Sequence, residues 1–175
     1  MWCLGRHMKG QKSLVFFLPI LIVCGSFSGC LGDDVAKGDP MPEWSAIADD
    51  NMTYSKSNMM GTKHLIHFSA SWCTPCRDVM HMVTGELPDV EYLIISTDSS
   101  DEGWEELNDW HQQVNGANDS HDVDAPFMAN SELAEEVDIR NTPTIFLVGS
   151  DGNILARHIG AFNNNQEIQD LWDTE

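Results

Sequence analysis

The most informative stretch of the 175-residue sequence is Ser71-Trp-Cys-Thr-Pro-Cys-Arg77. It follows a short apolar run, His64-Leu-Ile-His-Phe68, and it precedes a segment with apolar residues at helical spacing. The two cysteines therefore lie where a buried strand leads into a helix. The thiolate is the reactive form of cysteine, and the partial positive charge at a helix N-terminus stabilises it. This position predicts a reactive thiol at Cys73.

The spacing of the two cysteines favours a disulfide between them. Two intervening residues let the helix start while both sulfurs stay close enough to form a disulfide. We expect Cys73, at the exposed end, to attack a substrate disulfide and Cys76, one turn further in, to resolve the mixed disulfide. Pro75 costs no hydrogen bond in the first helical turn and stiffens it.

Two other interpretations of the pair are a zinc site and a purely structural disulfide. A zinc site needs about four ligands, and the domain has no second cysteine pair. A structural disulfide here would close a very short loop, for which the entropic gain is smallest. A redox-active pair fits the sequence better than either.

The rest of the domain consists of alternating predicted strands and helices. The predicted elements, in chain order, are a hairpin from Trp44–Ile47 and Met52–Tyr54, a strand His64–Phe68, a helix Thr74–Leu87, a strand Val90–Ser96, a helix behind a Ser99/Glu102 capping box, a polar loop Asn115–Pro126, a short helix capped by Ser131 and ending at Val137, strands Thr144–Val148 and Ile154–Ile159, and a closing helix Asn164–Trp172. This order predicts an α/β fold with a central mixed β-sheet flanked by helices and a short N-terminal hairpin.

Three motifs, in the expected order, resemble the thioredoxin superfamily. His67–Arg77 resembles its active site, Ile139–Thr144 its cis-proline loop, and His158–Ala161 its glycine-bearing last strand. With the N-terminal hairpin and the membrane tether described below, the sequence is most similar to TlpA/ResA-like extracytoplasmic thiol-disulfide oxidoreductases. The resemblance covers about Trp44 to Trp172 and implies a thioredoxin fold.

The resemblance also implies roles for individual residues. Cys73 would be the nucleophile and Cys76 the resolving thiol, and their disulfide would be the redox group, with no other cofactor. Pro143 would be the cis-proline beside the sulfurs, and Thr142 would offer its backbone to a substrate strand. Trp72 would form a flat apolar shoulder of the active site.

His67 is a departure from the family pattern. It occupies the position of a buried acid that exchanges protons with the resolving thiol. A neutral histidine can accept a proton at physiological pH, which makes His67 a candidate for proton transfer. The alternative is a buried histidine with a backbone hydrogen bond and no kinetic role. A second departure is Ser69, where an aromatic residue is common.

The resemblance implies a reductase of extracytoplasmic thiol or disulfide proteins, for example one that keeps apocytochrome thiols reduced. Its electrons would come from a membrane donor similar to the CcdA and DsbD proteins. One alternative is an oxidant that forms disulfides in secreted proteins. Another is a non-enzymatic adaptor or copper-handling module built on the same fold.

The first thirty residues differ from the rest of the chain. They hold Arg6, Lys9 and Lys12 but no acidic residue, and an apolar run, Leu14–Val23, follows. This predicts a signal peptide over residues 1–29. Phe27-Ser-Gly-Cys30 resembles the lipobox of lipoproteins, with Phe27 where leucine is usual.

That resemblance divides the chain into three parts. After the signal peptide, residues 30–42 would be a lipidated Cys30 and a flexible tether, and residues 43–175 the thioredoxin-like domain. The alternative anchor is an uncleaved helix over Leu14–Gly32, whose 19 uncharged residues are just long enough to span a membrane. Both interpretations place the domain outside the cytoplasm and tether it to the membrane.

The charge balance excludes one class of partner. Nine Lys/Arg against 28 Asp/Glu give a net charge of −19, so the chain has no basic face for nucleic acid. We assign no metal site. His64 and His67 are three apart on a strand and face opposite sides, and Met80 and Met82 diverge on a helix.

Overall fold

The structure is a computed structural model that describes residues 37–117 and 121–175. The predicted signal peptide and the lipobox with Cys30 lie outside the described residues. Within the described ranges, no helix combines the length and the apolar character needed to cross a membrane.

The described residues form seven strands, five α-helices and one short 3-10 helix. In chain order these are β1 (Ser45–Ile47), β2 (Thr53–Ser55), α1 (Lys56–Met59), β3 (His64–Ser69), α2 (Thr74–Glu86), β4 (Glu91–Ser96), the 3-10 helix (Ser99–Asp101), α3 (Trp104–Asn115), β5 (Phe127–Ala129), α4 (Ser131–Glu136), β6 (Thr144–Val148), β7 (Ile154–Ile159) and α5 (Asn165–Trp172).

Five of the strands form one mixed sheet in the order β5-β4-β3-β6-β7. The pairs β3–β4 and β4–β5 are parallel, whereas β3–β6 and β6–β7 are antiparallel. The strands β1 and β2 form a separate antiparallel pair. The predicted fold class is confirmed: a central mixed sheet flanked by helices, with a short N-terminal hairpin.

The central strand β3 is buried on both faces, which explains its nearly continuous apolar sequence. One face packs the core that contains Leu65, Ile94 and Ile145 together with residues of α2, α3 and α5. The other face packs Ile66 and Phe68 against the N-terminal segment and α4, and we call this cluster the second core.

The register brings several loops to one end of the sheet. Phe68 is opposite Thr144 in the antiparallel pair, Ser69 is beside Ser96 in the parallel pair, and Thr144 is opposite Ile159. The loops after β3, β4 and β7 and the loop before β6 therefore all lie at this end. We call it the site end of the sheet.

The predicted Ser99/Glu102 capping box is wrong. The helix α3 begins at Trp104, and its N-cap, Gly103, makes no side-chain capping hydrogen bond. Ser99 instead opens the 3-10 helix, because the Asp98 carboxylate accepts hydrogen bonds from the N–H and hydroxyl of Ser100 and starts a separate turn there.

The cap of α4 is also shifted from its predicted position. The side chain of Asn130, rather than Ser131, accepts a hydrogen bond from the N–H of Leu133 at 2.9 Å. Two elements were not predicted, β5 with three residues and α1 with four. Elements this short carry too few residues to show a periodic pattern.

Packing begins before the boundary expected at Glu43. The N–H of Gly38 donates to the carbonyl of Ile154 at 2.7 Å, and the N–H of Met41 donates to the carbonyl of Gly152 at 2.9 Å. Met41 is only 1% exposed and belongs to the second core. Residues 38–41, assigned to the tether from the sequence, thus lie against the β6–β7 turn.

Candidate active site

Cys73 and Cys76 form a disulfide at the start of α2, with an S–S distance of 2.04 Å and Cα atoms 5.4 Å apart. Cys73 is the N-cap residue of α2, and Pro75 lies in the first turn, where its missing N–H costs no hydrogen bond. The N–H of Cys73 donates to the carbonyl of Ala70 at 3.0 Å, which fixes the turn between β3 and α2.

Both cysteines of the disulfide are buried, but not equally. Cys76 is completely buried, whereas Cys73 retains 3% exposure at the protein surface. The small exposed part of the pair therefore belongs to Cys73. The helix N-terminus behind Cys73 stabilises a thiolate there, so the geometry supports attack at Cys73 and resolution by Cys76.

The peptide bond between Thr142 and Pro143 is cis and directly precedes β6. Because Thr144 pairs with Phe68, this loop lies at the site end, as does the segment that carries the disulfide. The carbonyl of Pro143 accepts a hydrogen bond from the N–H of Gly160 at 2.8 Å. The hydroxyl of Thr144 donates to the carbonyl of Asn141 at 2.7 Å, so the loop is held on both sides.

Trp72 is 66% exposed and immediately precedes Cys73. Its indole N–H donates to the carboxylate of Asp98 at 2.9 Å, which fixes the orientation of the ring. Hydrogen bonds from the backbone and hydroxyl of Ser100, and then from Trp72, lower the pKa of Asp98. Ile159, 55% exposed at the end of β7, adds a second apolar side chain to the site end.

Asp101 is a functional candidate that the sequence analysis missed. Its buried carboxylate accepts hydrogen bonds from the N–H of Ser71 at 3.0 Å, the hydroxyl of Ser71 at 2.7 Å and the hydroxyl of Ser96 at 2.5 Å. The guanidinium of Arg77 donates to the carbonyl of Ser71 at 3.2 Å. Both the N–H and the carbonyl of Ser71 are therefore hydrogen-bonded. The sequence offers little signal for this, because Asp101 lies 30 residues from Ser71.

His67 is fully buried on β3. Its two direct cross-strand neighbours, Ile94 and Ile145, belong to the core that contains Cys73 and Cys76. Its Nδ1 lies 2.5 Å from the hydroxyl oxygen of Tyr92, while Nε2 is buried and makes no hydrogen bond with the described residues. Burial lowers the pKa of His67 to about 3 and raises the pKa of Tyr92 well above 10. Both side chains are therefore neutral at physiological pH.

The predicted site residues thus fall into three groups. Trp72, Cys73, Cys76, Thr142 and Pro143 come together at the site end of the sheet, on the loop after β3, the start of α2 and the loop before β6. His67 lies on the strand that leads into this end. Cys30 lies outside the described residues. Within the described part of the chain, no group of three or more His, Cys, Asp or Glu side chains is arranged to hold a metal ion.

Comparison with known proteins gives a consistent picture. A family model described as "Thioredoxin-like domain" matches residues 51–174. The chain is similar to the thiol:disulfide interchange protein DsbE of Vibrio cholerae, at 26% identity over 86% of this chain and 87% of the relative. It is also similar to the thioredoxin-like protein YneN of Bacillus subtilis, at 23% identity over 78% of this chain and 79% of the relative.

Solved structures share the fold at lower identity. A crystal structure of an exposed lipoprotein thioredoxin from Streptococcus pneumoniae superposes with a TM-score of 0.58. The two sequences are 19% identical, and the match covers 74% of this chain and all of the other. At this identity the likeness shows the shared architecture alone.

Proposed function

The chain belongs to the thioredoxin-like domain family, and on that premise we propose that it is a protein thiol-disulfide oxidoreductase working as a reductase. The observation that carries the proposal is the Cys73–Cys76 disulfide at the N-terminus of α2. Cys73 keeps 3% of its surface exposed whereas Cys76 is completely buried, and the cis-proline loop lies at the same end of the sheet.

The reaction follows from this asymmetry. In the reduced protein the Cys73 thiolate attacks a substrate disulfide, forms a mixed disulfide and expels one substrate thiolate. The Cys76 sulfur then attacks the Cys73 sulfur, and the bond to the substrate breaks with its electron pair leaving on the substrate sulfur. The substrate has gained two electrons and two protons, and the protein ends as the Cys73–Cys76 disulfide.

Substrate binding at the site end uses two kinds of contact. The exposed indole of Trp72, held by Asp98, offers a flat apolar surface next to Cys73. On the other side, the backbone of Thr142 and the ring of Pro143 provide an edge against which an extended substrate segment can align. Extended segments bind this way because main-chain hydrogen bonds give affinity with little demand on sequence.

Two carboxylates near Cys73 oppose the stabilisation of its thiolate by the helix N-terminus and by Arg77, and this opposition supports the proposed reducing direction. Asp98 and Asp101 hold Trp72 and Ser71, the two residues directly before Cys73. Negative charge close to a cysteine disfavours its thiolate and raises its pKa. A destabilised thiolate makes the dithiol a better electron donor, because a stabilised reduced form is what makes a strong oxidant.

The location and the partners belong to the same proposal. The V. cholerae relative is named a thiol:disulfide interchange protein, and the S. pneumoniae structure is that of an exposed lipoprotein. Together with the lipobox at Cys30, these names support a domain outside the cytoplasm, anchored through lipidated Cys30 and a tether. Its substrates would be extracytoplasmic thiol or disulfide proteins, and a membrane protein similar to CcdA or DsbD would supply electrons.

The deciding experiment is the reduction potential of the Cys73–Cys76 pair in the full chain. It can be followed by tryptophan fluorescence, since Trp72 adjoins the sulfurs. A potential near or below about −250 mV supports a reductase, whereas a value near about −120 mV makes the protein an oxidant. Insulin reduction by the wild type that is lost in Cys73→Ser identifies the catalytic thiol. No reversible equilibrium, together with stoichiometric retention of Cu(I), would leave the copper-handling adaptor instead.

A further inference from the structure

Two exposed apolar side chains that the proposed reaction does not use line one groove at the start of α3. Ile47, at the end of β1, is 63% exposed, and Trp104, the first residue of α3, is 56% exposed. The groove measures about 300 Å³, and the residues that line it are Ile47, Ala48, Asn51, Gly103, Trp104 and Leu107. Large apolar side chains gathered in an exposed groove are typical of a surface that binds another molecule.

Hydrogen bonds hold this groove in shape. The indole N–H of Trp104 donates to the carbonyl of Asp49, in the turn of the hairpin, at 2.8 Å. The carboxylate of Asp49 accepts a hydrogen bond from the N–H of Phe127 at 2.9 Å and lies 2.6 Å from Nδ1 of His111 on α3. The hairpin, α3 and β5 are thereby joined. The groove is therefore formed before any partner arrives, and binding loses little conformational entropy.

The groove lies close to the active site along the chain. Asp98 accepts the hydrogen bond from the indole of Trp72 at 2.9 Å, and six residues later the chain reaches Trp104. Because a chain extends by at most about 3.6 Å per residue, the backbones of Asp98 and Trp104 lie within about 22 Å of each other. An extended peptide of nine residues spans about 30 Å. One short segment of a substrate is therefore long enough to reach Cys73 and the groove together.

The surface around the groove is strongly acidic. Between Arg77 and Arg140 the sequence contains 17 Asp and Glu residues and no Lys or Arg. Of these carboxylates, those of Glu102, Glu105 and Asp109 are exposed at the first turns of α3, and none forms an ion pair with a described residue. We call the groove and these three residues the α3 surface. An apolar groove beside uncompensated negative charge fits a partner that is both apolar and cationic.

A second groove shares Glu102 and has the same charge. It measures about 340 Å³, and four of its ten lining residues are glutamates, Glu43, Glu102, Glu132 and Glu136. Lys56 pairs with Glu43 at 2.8 Å, whereas no ion pair joins the other three to a described residue. The negative charge near Glu102 is therefore available to a basic side chain of a partner.

We propose that the α3 surface selects cationic polypeptides as substrates, with an apolar side chain in the groove and basic side chains against the carboxylates of Glu102, Glu105 and Asp109. This inference rests on the proposed function and names its substrate class. Attraction between opposite charges raises the rate at which such a substrate arrives, and the same carboxylates repel an acidic one. Selection thus occurs beside the disulfide and leaves the chemistry at Cys73 unchanged.

The first test compares substrates that differ in charge alone. Nine-residue peptides with one cysteine and one leucine carry lysine, glutamine or glutamate at four other positions, and each is joined to a second copy as a symmetrical disulfide. The reduced full chain is mixed with each peptide disulfide; the Cys73–Cys76 dithiol becomes a disulfide, and the two released peptide thiols are quantified. We expect the lysine peptide to react about tenfold faster than the glutamate peptide at low ionic strength, and the difference to shrink towards 1 M salt. Equal rates at low ionic strength would overturn the inference.

Two variants with the same change in net charge locate the preference. The first variant removes three negative charges from the α3 surface by Glu102→Gln, Glu105→Gln and Asp109→Asn. The control removes three exposed carboxylates at the opposite end of the sheet by Asp89→Asn, Glu91→Gln and Asp173→Asn. We expect the preference for the lysine peptide to fall to about threefold or less in the first variant and to persist in the control. Equal losses in both variants would show that the total charge acts, and this result would overturn the role of the α3 surface.

The apolar groove has its own pair of variants. Ile47→Thr keeps a β-branched residue in β1 but removes apolar surface from the groove. Met60→Ala is the control, because Met60 is 49% exposed and lies beside Gly152 in the β6–β7 turn. We expect Ile47→Thr to slow the reaction with the lysine peptide about two- to fivefold through lost burial of the peptide leucine. An unchanged rate in Ile47→Thr, or equal slowing in Met60→Ala, would overturn the inference.

The last measurement does not depend on turnover. The lysine peptide with serine in place of cysteine is added to the oxidised full chain, and the indole ¹H–¹⁵N signals of the tryptophans are recorded. We expect the Trp104 signal to shift and the signal of Trp172, which lies beside Lys63 at the opposite end of the sheet, to stay unchanged. No shift of Trp104 would overturn the inference. A shift of Trp104 without reduction of any peptide disulfide would instead overturn the proposed function and leave the α3 surface as a binding site for cationic polypeptides.

Discussion

The carboxylate of Asp101 accepts two hydrogen bonds from one residue, Ser71, through its N–H at 3.0 Å and its hydroxyl at 2.7 Å. A third comes from the hydroxyl of Ser96 at 2.5 Å, at the end of β4. The loop after β4 thus fixes the residue two positions before Cys73. The disulfide is supported by the neighbouring strand as well as by its own helix.

Replacement of Asp101 should therefore destabilise the domain. In Asp101→Asn the carboxylate acceptor is replaced by a neutral amide, so the bonds from Ser71 and Ser96 become weaker neutral bonds and one hydroxyl must accept a hydrogen bond rather than donate it. We expect the free energy of unfolding of the full chain to fall by about 1–3 kcal/mol in urea titrations. Asp89→Asn, an exposed carboxylate before β4, is the control and should have little effect. Equal losses in the two variants would contradict this account of Asp101.

The N-terminal segment gives a second stability prediction. Met41 is 1% exposed in the second core, whereas Met52 is 61% exposed on the hairpin. We expect Met41→Ala to cost about 2–3 kcal/mol of unfolding free energy through lost burial and the cavity left behind. Met52→Ala should cost well under 1 kcal/mol. A negligible loss in Met41→Ala would mean that the domain does not depend on residues before Glu43.

Much of this architecture could be predicted from the sequence, for a physical reason. The strands β3, β4 and β6 are apolar runs buried on both faces, and the helix after Cys73 carries its apolar residues at regular spacing. Such patterns extend over enough neighbouring residues to be recognised from the sequence alone. The cysteine pair and the Thr-Pro sequence before β6 are also local features, since a few adjacent residues define them.

What the sequence did not predict depends on distant partners. Asp101 acts on Ser71 across 30 residues, and Tyr92 contacts His67 across 25. β5 is defined by its pairing with β4 over three residues rather than by its own pattern. Met41 lacked a periodic context, so nothing in residues 31–42 indicated that it would insert into a core.

Removal of the resolving thiol should trap the substrate. In Cys76→Ser the Cys73 sulfur can still form a mixed disulfide, but no second sulfur is available to release it. We expect the covalent complex with a peptide disulfide to accumulate in the full chain and to be visible by non-reducing gel and mass spectrometry. Cys73→Ser should trap nothing. Trapping in Cys73→Ser instead would reverse the roles assigned to the two sulfurs.

The hydrogen bonds of His111 predict that the folded domain loses stability at alkaline pH. Its Nδ1 lies 2.6 Å from the Asp49 carboxylate, and its Nε2 lies 2.7 Å from the carbonyl of Val123, so both ring nitrogens face acceptors. Burial alone would lower the pKa of His111, but the hydrogen bonds to Asp49 and Val123 outweigh it and raise the pKa above 6.5.

A raised pKa in the folded state fixes the sign of this effect. The stabilisation by His111 is fully present below pH 6.5 and is lost as the pH rises through the folded-state value. We expect the stability advantage of wild type over His111→Gln, on the order of 1 kcal/mol at pH 6, to shrink towards pH 9. Urea midpoints of both proteins at a series of pH values measure it. A constant difference would show that His111 contributes by packing alone.

The burial of His67 predicts that the folded domain loses stability in acid. Burial lowers the pKa of His67 to about 3 in the folded chain. His67 therefore binds a proton near pH 6.5 in the unfolded chain but only near pH 3 in the folded chain. Stability is therefore fully present above pH 6.5 and declines as the pH falls towards 3. We expect His67→Leu to flatten this decline by a few kcal/mol, in order of magnitude. Parallel acid unfolding curves for variant and wild type would contradict the buried neutral imidazole.

The two ends of the described chain meet near the start of β3, whereas the disulfide follows the end of that strand. The ammonium of Lys37 donates to the backbone oxygen of Glu175 at 2.9 Å, and Lys63, directly before β3, donates to the carbonyls of Trp172 and Thr174. These contacts lie opposite the site end of the sheet. Circular permutants that join residue 37 to residue 175 should therefore leave the redox centre unobstructed.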